Sequence, residues 1–342
     1  MKNMLLPAAA ALATCFLAPS SAQTITITAP DYSATPLFST ARGFSITGLA
    51  ADENGDVYYL QSDGSFATST VLYKRTAASG YAEPAGPLFD LGSAVFGSFV
   101  KIGGGRIVLG ENSTNQLFAL NLDGSGADLL GTVAGNYDAA FTMSESLLVS
   151  HNGAAFPSAA NVVSNFTLLP DGGGGQELSA EDIVLDTVSD YSGSIALDAD
   201  GSLYYGATAF NGIADLYRYS ASEVASATGP VALTLDGSHR VLANGVNGYL
   251  AINGTAQLWH TDFSSLNVID TGTATATQVA TSDRASFSIS HLDTTNGMLV
   301  TNVTDFSDFS NPRSSVYAVV PEPATGALHL VAGLSFACRR RH

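Results

Sequence analysis

Six residues recur at one position of a repeating strand pattern: Gln61, Glu111, His151, Ala207, Asn253 and Asn302. Each directly follows an apolar strand and lies six residues past a turn, counted from Asn247 and Asn296 in the last two copies. Five of the six are polar, and aromatic residues (Phe44, Phe96, Tyr137, Tyr191 and Phe287) stand eight to eleven residues before the same turns. Amides, one carboxylate and one imidazole ringed by aromatic faces could grip a sugar or a peptide by hydrogen bonds and stacking. The candidate ligand-binding residues are therefore Gln61, Glu111, His151, Asn253, Asn302, Tyr137 and Tyr191. The plainer explanation is that polar residues end strands and aromatics pack between them.

Catalysis has less to stand on. His151, His239, His260 and His291 are scattered, no two of them at metal-ligand spacing, and no strand-loop-helix nucleophile motif is present. The acidic turns Asp52-Glu53-Asn54-Gly55-Asp56 and Asp198-Ala199-Asp200-Gly201 lack the alternating spacing and distal Glu of a calcium loop. Hairpin turns favour Asp, Asn and Gly for backbone reasons alone.

The elements that position these residues are short hairpins. Leu49 to Tyr59 (LAADENGDVYY) matches Ile195 to Tyr205 (IALDADGSLYY): an apolar strand, an Asp/Asn-Gly turn and a second strand with paired tyrosines. Weaker copies run Phe99 to Leu109, Ala139 to Val149, Val241 to Ala251 and Phe287 to Val300, and their turns recur about every 48 residues. Third and fourth strands follow most hairpins, with Val231-Ala232-Leu233 as the fourth in the fourth copy. A period of this length with four strands per unit predicts an all-β, six-bladed β-propeller. A seven-bladed ring with a split blade and a β-sandwich are the alternatives. The sixth copy lacks a fourth strand, so one of the N-terminal strands, Thr24 to Thr28 or Pro36 to Phe38, is expected to pair with Val316 to Val319 and close the ring. One short helix is predicted at Ser220 to Ala227, where Ser220 and Glu223 have capping-box spacing.

In hairpin spacing and Tyr-Tyr strands the body of the chain resembles NHL and SMP-30-type propellers. That resemblance implies lactonases with a divalent cation at the channel mouth, held by carboxylate and amide ligands. Glu111, Asn253 and Asn302 are the residues here that could imitate such a set, with Ca2+ or another divalent cation as the bound ion. Apart from that cation, no cofactor is expected.

The two ends read as processing segments. Met1 and Lys2 precede an uncharged apolar stretch, Leu5 to Ala18, followed by Ser20-Ser21-Ala22, the layout of a signal peptide cleaved before Gln23. At the other end Pro321-Glu322-Pro323 precedes an uncharged run from Gly326 to Cys338 and then Arg339-Arg340-Arg341. This order resembles the PEP-CTERM sorting signal read by exosortase-type transpeptidases, with His329 departing from the usual apolar run. The run is too short to be a permanent anchor, so the implied membrane contact is transient. The expected divisions are 1–22, a signal peptide; 23–319, the propeller; and 320–342, the sorting tail.

Both cysteines, Cys15 and Cys338, fall in the flanks, so the body must be stabilised by its core rather than by disulfides. From Gln23 to Ala318 nine basic residues face 29 acidic ones, a net charge of −20, which excludes nucleic acid as a partner. The leading expectation is an exported, non-catalytic propeller that interacts with a polysaccharide or surface protein of the extracellular matrix. The alternative is a metal-dependent hydrolase or lactonase.

Overall fold

The computed structural model describes residues 25–64, 69–152, 161–187, 193–206, 215–227, 232–243, 248–252, 257–283 and 287–322. The protein is nearly all β. Two N-terminal strands, β1 (Ile25–Ile27) and β2 (Tyr32–Ser39), precede the first sheet, which runs β3 (Phe44–Ala51), β4 (Val57–Asp63), β5 (Ser69–Arg75) and β6 (Phe89–Ser93). The next contains β7 (Gly97–Gly103), β8 (Arg106–Glu111), β9 (Gln116–Asn121) and β10 (Asp128–Thr132). The third is built on β11 (Asp138–Phe141), β12 (Leu147–Asn152) and β13 (Asn161–Phe166); a small hairpin of β14 (Leu168–Pro170) and β15 (Gln176–Leu178) intervenes before its fourth strand, β16 (Asp182–Thr187).

The fourth sheet holds β17 (Ser194–Leu197), β18 (Leu203–Gly206) and β19 (Leu216–Tyr219). After β19 come the helix α1 (Ala221–Ser226), β20 (Leu233–Thr234) and β21 (Arg240–Leu242). Here the structure corrects the sequence reading. The fourth strand of this sheet is β21, paired with β19, whereas β20 lies parallel to β16 on the outer edge of the preceding sheet. The fifth sheet starts at β22 (Leu250–Ile252) and continues through β23 (Leu258–Thr261), β24 (Ser265–Asp270) and β25 (Thr275–Ser282) to β1. The expected hairpin of Val241 to Ala251 therefore does not exist, because its two halves belong to different sheets. The last group is β26 (Phe287–Thr295), β27 (Met298–Asp305) and β28 (Arg313–Pro321), joined to the first sheet by one parallel pair, Arg313 opposite Phe44.

The paired tyrosines follow from strand geometry. Successive side chains point to opposite faces, so a strand buried on both sides needs two large apolar groups in a row. Tyr58 packs with Val100, Ile107 and Leu109 of the second sheet, while Tyr59 packs with Phe38, Val300 and Val316 on the other side. Tyr205 and Tyr204 divide in the same way between the third and fifth sheets. Each of the six core clusters joins two neighbouring sheets, and the series returns to its start where Val300 and Val316 meet Ile46 and Leu49.

Closure comes from β2, which pairs antiparallel with β28 from Tyr32 opposite Pro321 to Ser39 opposite Ser315. This is the expected N-terminal pairing. β1 is also used, against the outer edge of β25. The backbone N–H of Glu322 donates to Asp31 O at 2.7 Å, just past the last rung. Helix α1 carries the expected capping box between Ser220 and Glu223.

Candidate functional site

The first strands of the groups, β3, β7, β11, β17, β22 and β26, pack each against the next, and β26 returns to β3. They surround a narrow central channel. Side chains tie neighbouring inner strands across it: Ser194 Oγ donates to Asp138 Oδ2 at 2.6 Å and accepts from Leu250 N at 2.9 Å, linking β11, β17 and β22. On the other side Asp293 Oδ2 accepts from Ala51 N at 2.8 Å, linking β26 to β3.

At one end the channel opens into a cavity of about 290 Å³. Its floor is aromatic. Tyr137, just before β11, stacks on Tyr249, just before β22, with centroids 5.6 Å apart and planes 7° from parallel. Tyr249 in turn lies 4.3 Å from the ring of His291. Phe96, Phe263 and Phe306 line the walls, while Thr47, Asp63, Ser98, Asn112 and Thr304 supply polar groups. Phe306 stacks on Phe309, which is 66% exposed at the rim.

His291 reaches the floor because β26 is bulged there: the register with β27 shifts between Ser290 and Leu292, and His291 has φ +40°. A bulge re-aims one side chain out of the alternation, and a positive φ in a non-glycine residue marks local strain. Burial, reinforced by the charge of Lys101, pushes the His291 imidazole down to about 3. It is therefore neutral at pH 7, offering one N–H donor and one acceptor. Burial likewise pushes the Tyr249 phenol well above its ordinary range, with the neighbouring Tyr137 and Asp138 adding to the effect.

The inner strands also carry charged groups. Lys101 Nζ on β7 lies 2.9 Å from Asp138 Oδ1, with the side chain of Asp138 only 1% exposed and that of Lys101 19%. Burial pushes the Lys101 ammonium down, but the charges of Asp138 and Asp293 outweigh it and the net shift is upward. Asp293 is pushed up by burial, against the pull of Lys101.

Of the seven residues chosen from the sequence, Tyr137 lines the cavity. Glu111 does not: it is 1% exposed, and its carboxylate accepts from the backbone of Ser113, Thr114 and Gln116 and from Thr114 Oγ1, at 2.6 to 3.1 Å. It fixes the β8–β9 connection and has no free oxygen to offer a ligand. His151 borders a different groove, between the second and third sheets, where its Nε2 sits 2.9 Å from Ser164 Oγ and 3.1 Å from Glu181 Oε1. Asn302 is fully buried, donating to Thr304 Oγ1 at 3.2 Å, and Gln61 sits half-buried in the ladder between Ile46 and Val71. Tyr191 and Asn253 lie outside the described residues, as do Pro323 and Arg339 to Arg341 of the tail; Pro321 and Glu322 are exposed at the end of β28.

Of the proposed divalent-cation set, the carboxylate of Glu111 is engaged by backbone, Asn302 is buried with its Oδ1 unpartnered among the described residues, and Asn253 lies outside them. Among the described residues no three His, Cys, Asp or Glu gather in a group that could hold a metal. The acidic turns are also engaged: Asp52 Oδ1 accepts from Asn54 N and Asp56 N, both at 2.9 Å, and Lys74 lies 2.9 Å from Asp56.

Sequence reasoning missed Tyr249, His291, Lys101, Asp138 and Asp293. Tyr249 had a readable signal, since it immediately precedes an inner strand as Tyr137 does; the slipped frame of the fifth copy hid it. The bulge that aims His291 has no such signal.

No family model matches the chain, and no curated protein matches it in sequence. Solved structures do match in fold. A gluconolactonase from Xanthomonas campestris superposes with a TM-score of 0.54 at 16% identity, over 88% of this chain and 94% of that one. An aldose sugar dehydrogenase from Streptomyces coelicolor, in its PQQ-bound form, gives 0.52 at 13% identity, over 84% and 98%. A chain of a mitotic checkpoint complex gives 0.51 at 13% identity, over 85% and 94%. A lactonase, a dehydrogenase and a checkpoint assembly share little but architecture, so what these likenesses establish for this chain is the β-propeller fold.

Proposed function

We propose that the chain is a six-bladed propeller whose channel mouth takes a small polyhydroxylated ring, and that its reaction is the opening of a sugar lactone. The observation that carries this reading is the mouth itself: stacked Tyr137 and Tyr249, the bulged His291 and the walls of Phe96, Phe263 and Phe306 around about 290 Å³. Aromatic faces stack on the C–H faces of a sugar ring, and hydroxyl and amide groups at the rim take its hydroxyls. The likeness in fold to a gluconolactonase supports choosing a lactone over other rings of this size. In lactone opening, water adds to the ring carbonyl, the ring C–O bond breaks, and the water's proton ends on the released hydroxyl. His291 is neutral but, held near 3, a weak base, so its part is to orient the ligand or the attacking water by hydrogen bonding rather than to carry the proton.

That same weak basicity favours a second reading, in which the mouth binds a saccharide without turning it over, as a surface or matrix interaction protein would. Both readings include the export proposed from the termini: a signal peptide, a PEP-CTERM-type tail and an exosortase-type processing step. Turnover of a panel of sugar lactones by pH-stat, run beside calorimetric titration of the parent sugars, separates them. Lactone turnover lost in Tyr249→Ala supports the enzyme; saccharide binding without turnover supports the second reading; neither activity in folded protein overturns both. Mass spectrometry of the protein from its native host tests the export, with termini expected near Gln23 and Pro323; an exported form retaining Arg339 to Arg341 overturns it.

A further inference from the structure

We propose that the mouth is shaped for a ligand of two rings: the exposed face of Phe309 is a stacking subsite for a second sugar residue, attached to the ring that sits at Tyr137 and Tyr249. This rests on reading the mouth as a saccharide or lactone site, and it names the substrate class of that site, a disaccharide or its lactone in place of a monosaccharide.

The loop between β27 and β28 spans residues 306–312. Its first and last residues, Phe306 and Pro312, line the cavity, so the stretch between them stands at the rim. Phe309, in the middle of that stretch, stacks on Phe306 with ring centroids 5.4 Å apart and planes 25° from parallel, and is 66% exposed. The aromatic wall of the cavity is thereby continued outward by one ring. Among the described residues the large hydrophobic side chains left exposed are Leu129, Met143, Leu169 and Phe309, and of these Phe309 alone is aromatic. The loop that holds it out is tied down. Ser307 N donates to Asp305 Oδ1 at 2.8 Å, Ser310 N and Oγ donate to Asp308 Oδ1 at 3.0 and 2.6 Å, and Asn311 N donates to Asp308 O at 3.0 Å. Pro312 O accepts from Gly43 N at 2.8 Å, which fastens the far end beside the start of β3. A ring displayed on a fixed loop loses little freedom when a ligand covers it.

The surroundings of the ring decide what covers it. Its neighbours in the loop are Ser307, Asp308, Ser310 and Asn311, all polar, so the apolar area offered is that of one aromatic face. A second protein surface needs roughly 800 Å² on each side and a broader apolar centre. A sugar needs one flat face for its C–H groups, with hydroxyl, carboxylate and amide groups around it for its own hydroxyls.

Calorimetric titration of glucose against maltose and cellobiose, and pH-stat turnover of gluconolactone against maltobionolactone and cellobionolactone, test the proposal. A disaccharide or its lactone should bind, or turn over in kcat/KM, about three- to tenfold better than its monosaccharide counterpart, the range that one added stack supplies. Phe309→Ala should cut that ratio by the same factor, and Phe309→Tyr should keep it. Activity toward the monosaccharides with no preference for two rings overturns the second subsite and leaves the reading of the mouth standing. Phe309→Ala weakening both ligand sizes alike also overturns it, since the ring then acts through Phe306 as part of the wall. Absence of binding and turnover across the whole panel, in folded protein, overturns both. A wild-type dimer in sedimentation velocity that Phe309→Ala dissolves assigns the ring to a second copy of the chain and overturns the subsite as well.

Discussion

Tyr137 and Tyr249 lie 112 residues apart in sequence yet stack nearly face to face, with planes 7° from parallel. They stand just before β11 and β22, the first strands of the third and fifth sheets, so the contact passes over the fourth. Both rings line the cavity at the mouth. Residues that set where the two rings stand therefore control the mouth more directly than residues on its rim.

Gly248 is one such residue. A Cβ placed there would come within 2.2 Å of the carbonyl oxygen of Thr261, a backbone atom with no freedom to rotate away. Gly248→Ala is expected to destabilise the protein by about 1 to 3 kcal/mol and to displace Tyr249. Denaturant unfolding measures the first effect, and a fall in ligand affinity at the mouth, in protein that remains folded, the second.

Glu111→Gln separates support from binding. Its carboxylate holds three backbone N–H groups and a hydroxyl, so the neutral amide should cost about 1.5 to 3 kcal/mol in stability. Ligand affinity at the mouth should stay within a factor of two or so of wild type once the protein is folded. A large loss of affinity with unchanged stability would return Glu111 to the binding face.

Acid should weaken the fold through its buried histidines. Burial holds His291 near 3 and His260 near 4, and it also lowers His151, against an ordinary value of 6.5. The unfolded chain takes up protons on these rings near pH 6.5 while the folded chain does not. Their contribution is complete above that pH and is lost as the pH falls toward 4 and then 3. Melting temperature should thus decline steadily from pH 7 to pH 4.5. Neither ring nitrogen of His260 has a partner among the described residues. His260→Leu should accordingly stabilise the protein by about 1 kcal/mol or more at pH 7, with a larger gain at pH 5. His239 works in the opposite sense: Glu223 and Asp236 raise its value, so its small, solvent-screened contribution fades as the pH rises.

The N-terminal strands should differ in importance. Deleting residues 25–29 removes β1 from the outer edge of one sheet, whereas deleting 25–40 also removes β2, the strand that closes the ring beside β28. The shorter deletion should leave a folded protein. The longer one should lower the melting temperature by about 10 °C or more, because it exposes an unpaired edge and uncovers the core around Val316. Circular dichroism melts of the two truncations make the comparison.

Much of this architecture is legible in the sequence because it rests on local patterns. The Asp/Asn-Gly turns at Gly55 and Gly201 and the doubled tyrosines beside them announce hairpins buried on both faces, and the missing last strand announces the N-terminal closure. The reading fails where local pattern and pairing part company. Leu233 is apolar and strand-like but joins the wrong neighbour, since only long-range packing decides between β16 and β19. The site is harder still. Lys101 and Asp138 look like ordinary strand charges until two separate inner strands bring them within 2.9 Å, and the re-aiming of His291 depends on a one-residue register shift with no composition of its own.

The rung that joins Tyr32 to Pro321 has a mechanical consequence. Because β2 and β28 run antiparallel, the start of β2 and the end of β28 meet at one corner, with Glu322 hydrogen-bonded to Asp31 and β1 lying beyond it on the edge of β25. A force pulling those two ends apart acts on one rung at a time, as in opening a zipper, so the closing sheet yields from Pro321 inward toward Ser315. A force applied to the C-terminal side alone, against a body held elsewhere, must slide β28 along both β2 and β27 and is shared over many hydrogen bonds at once. How firmly the protein withstands load therefore depends on whether one end or both are tethered, and the same ladder serves as a weak seam in one case and a strong one in the other.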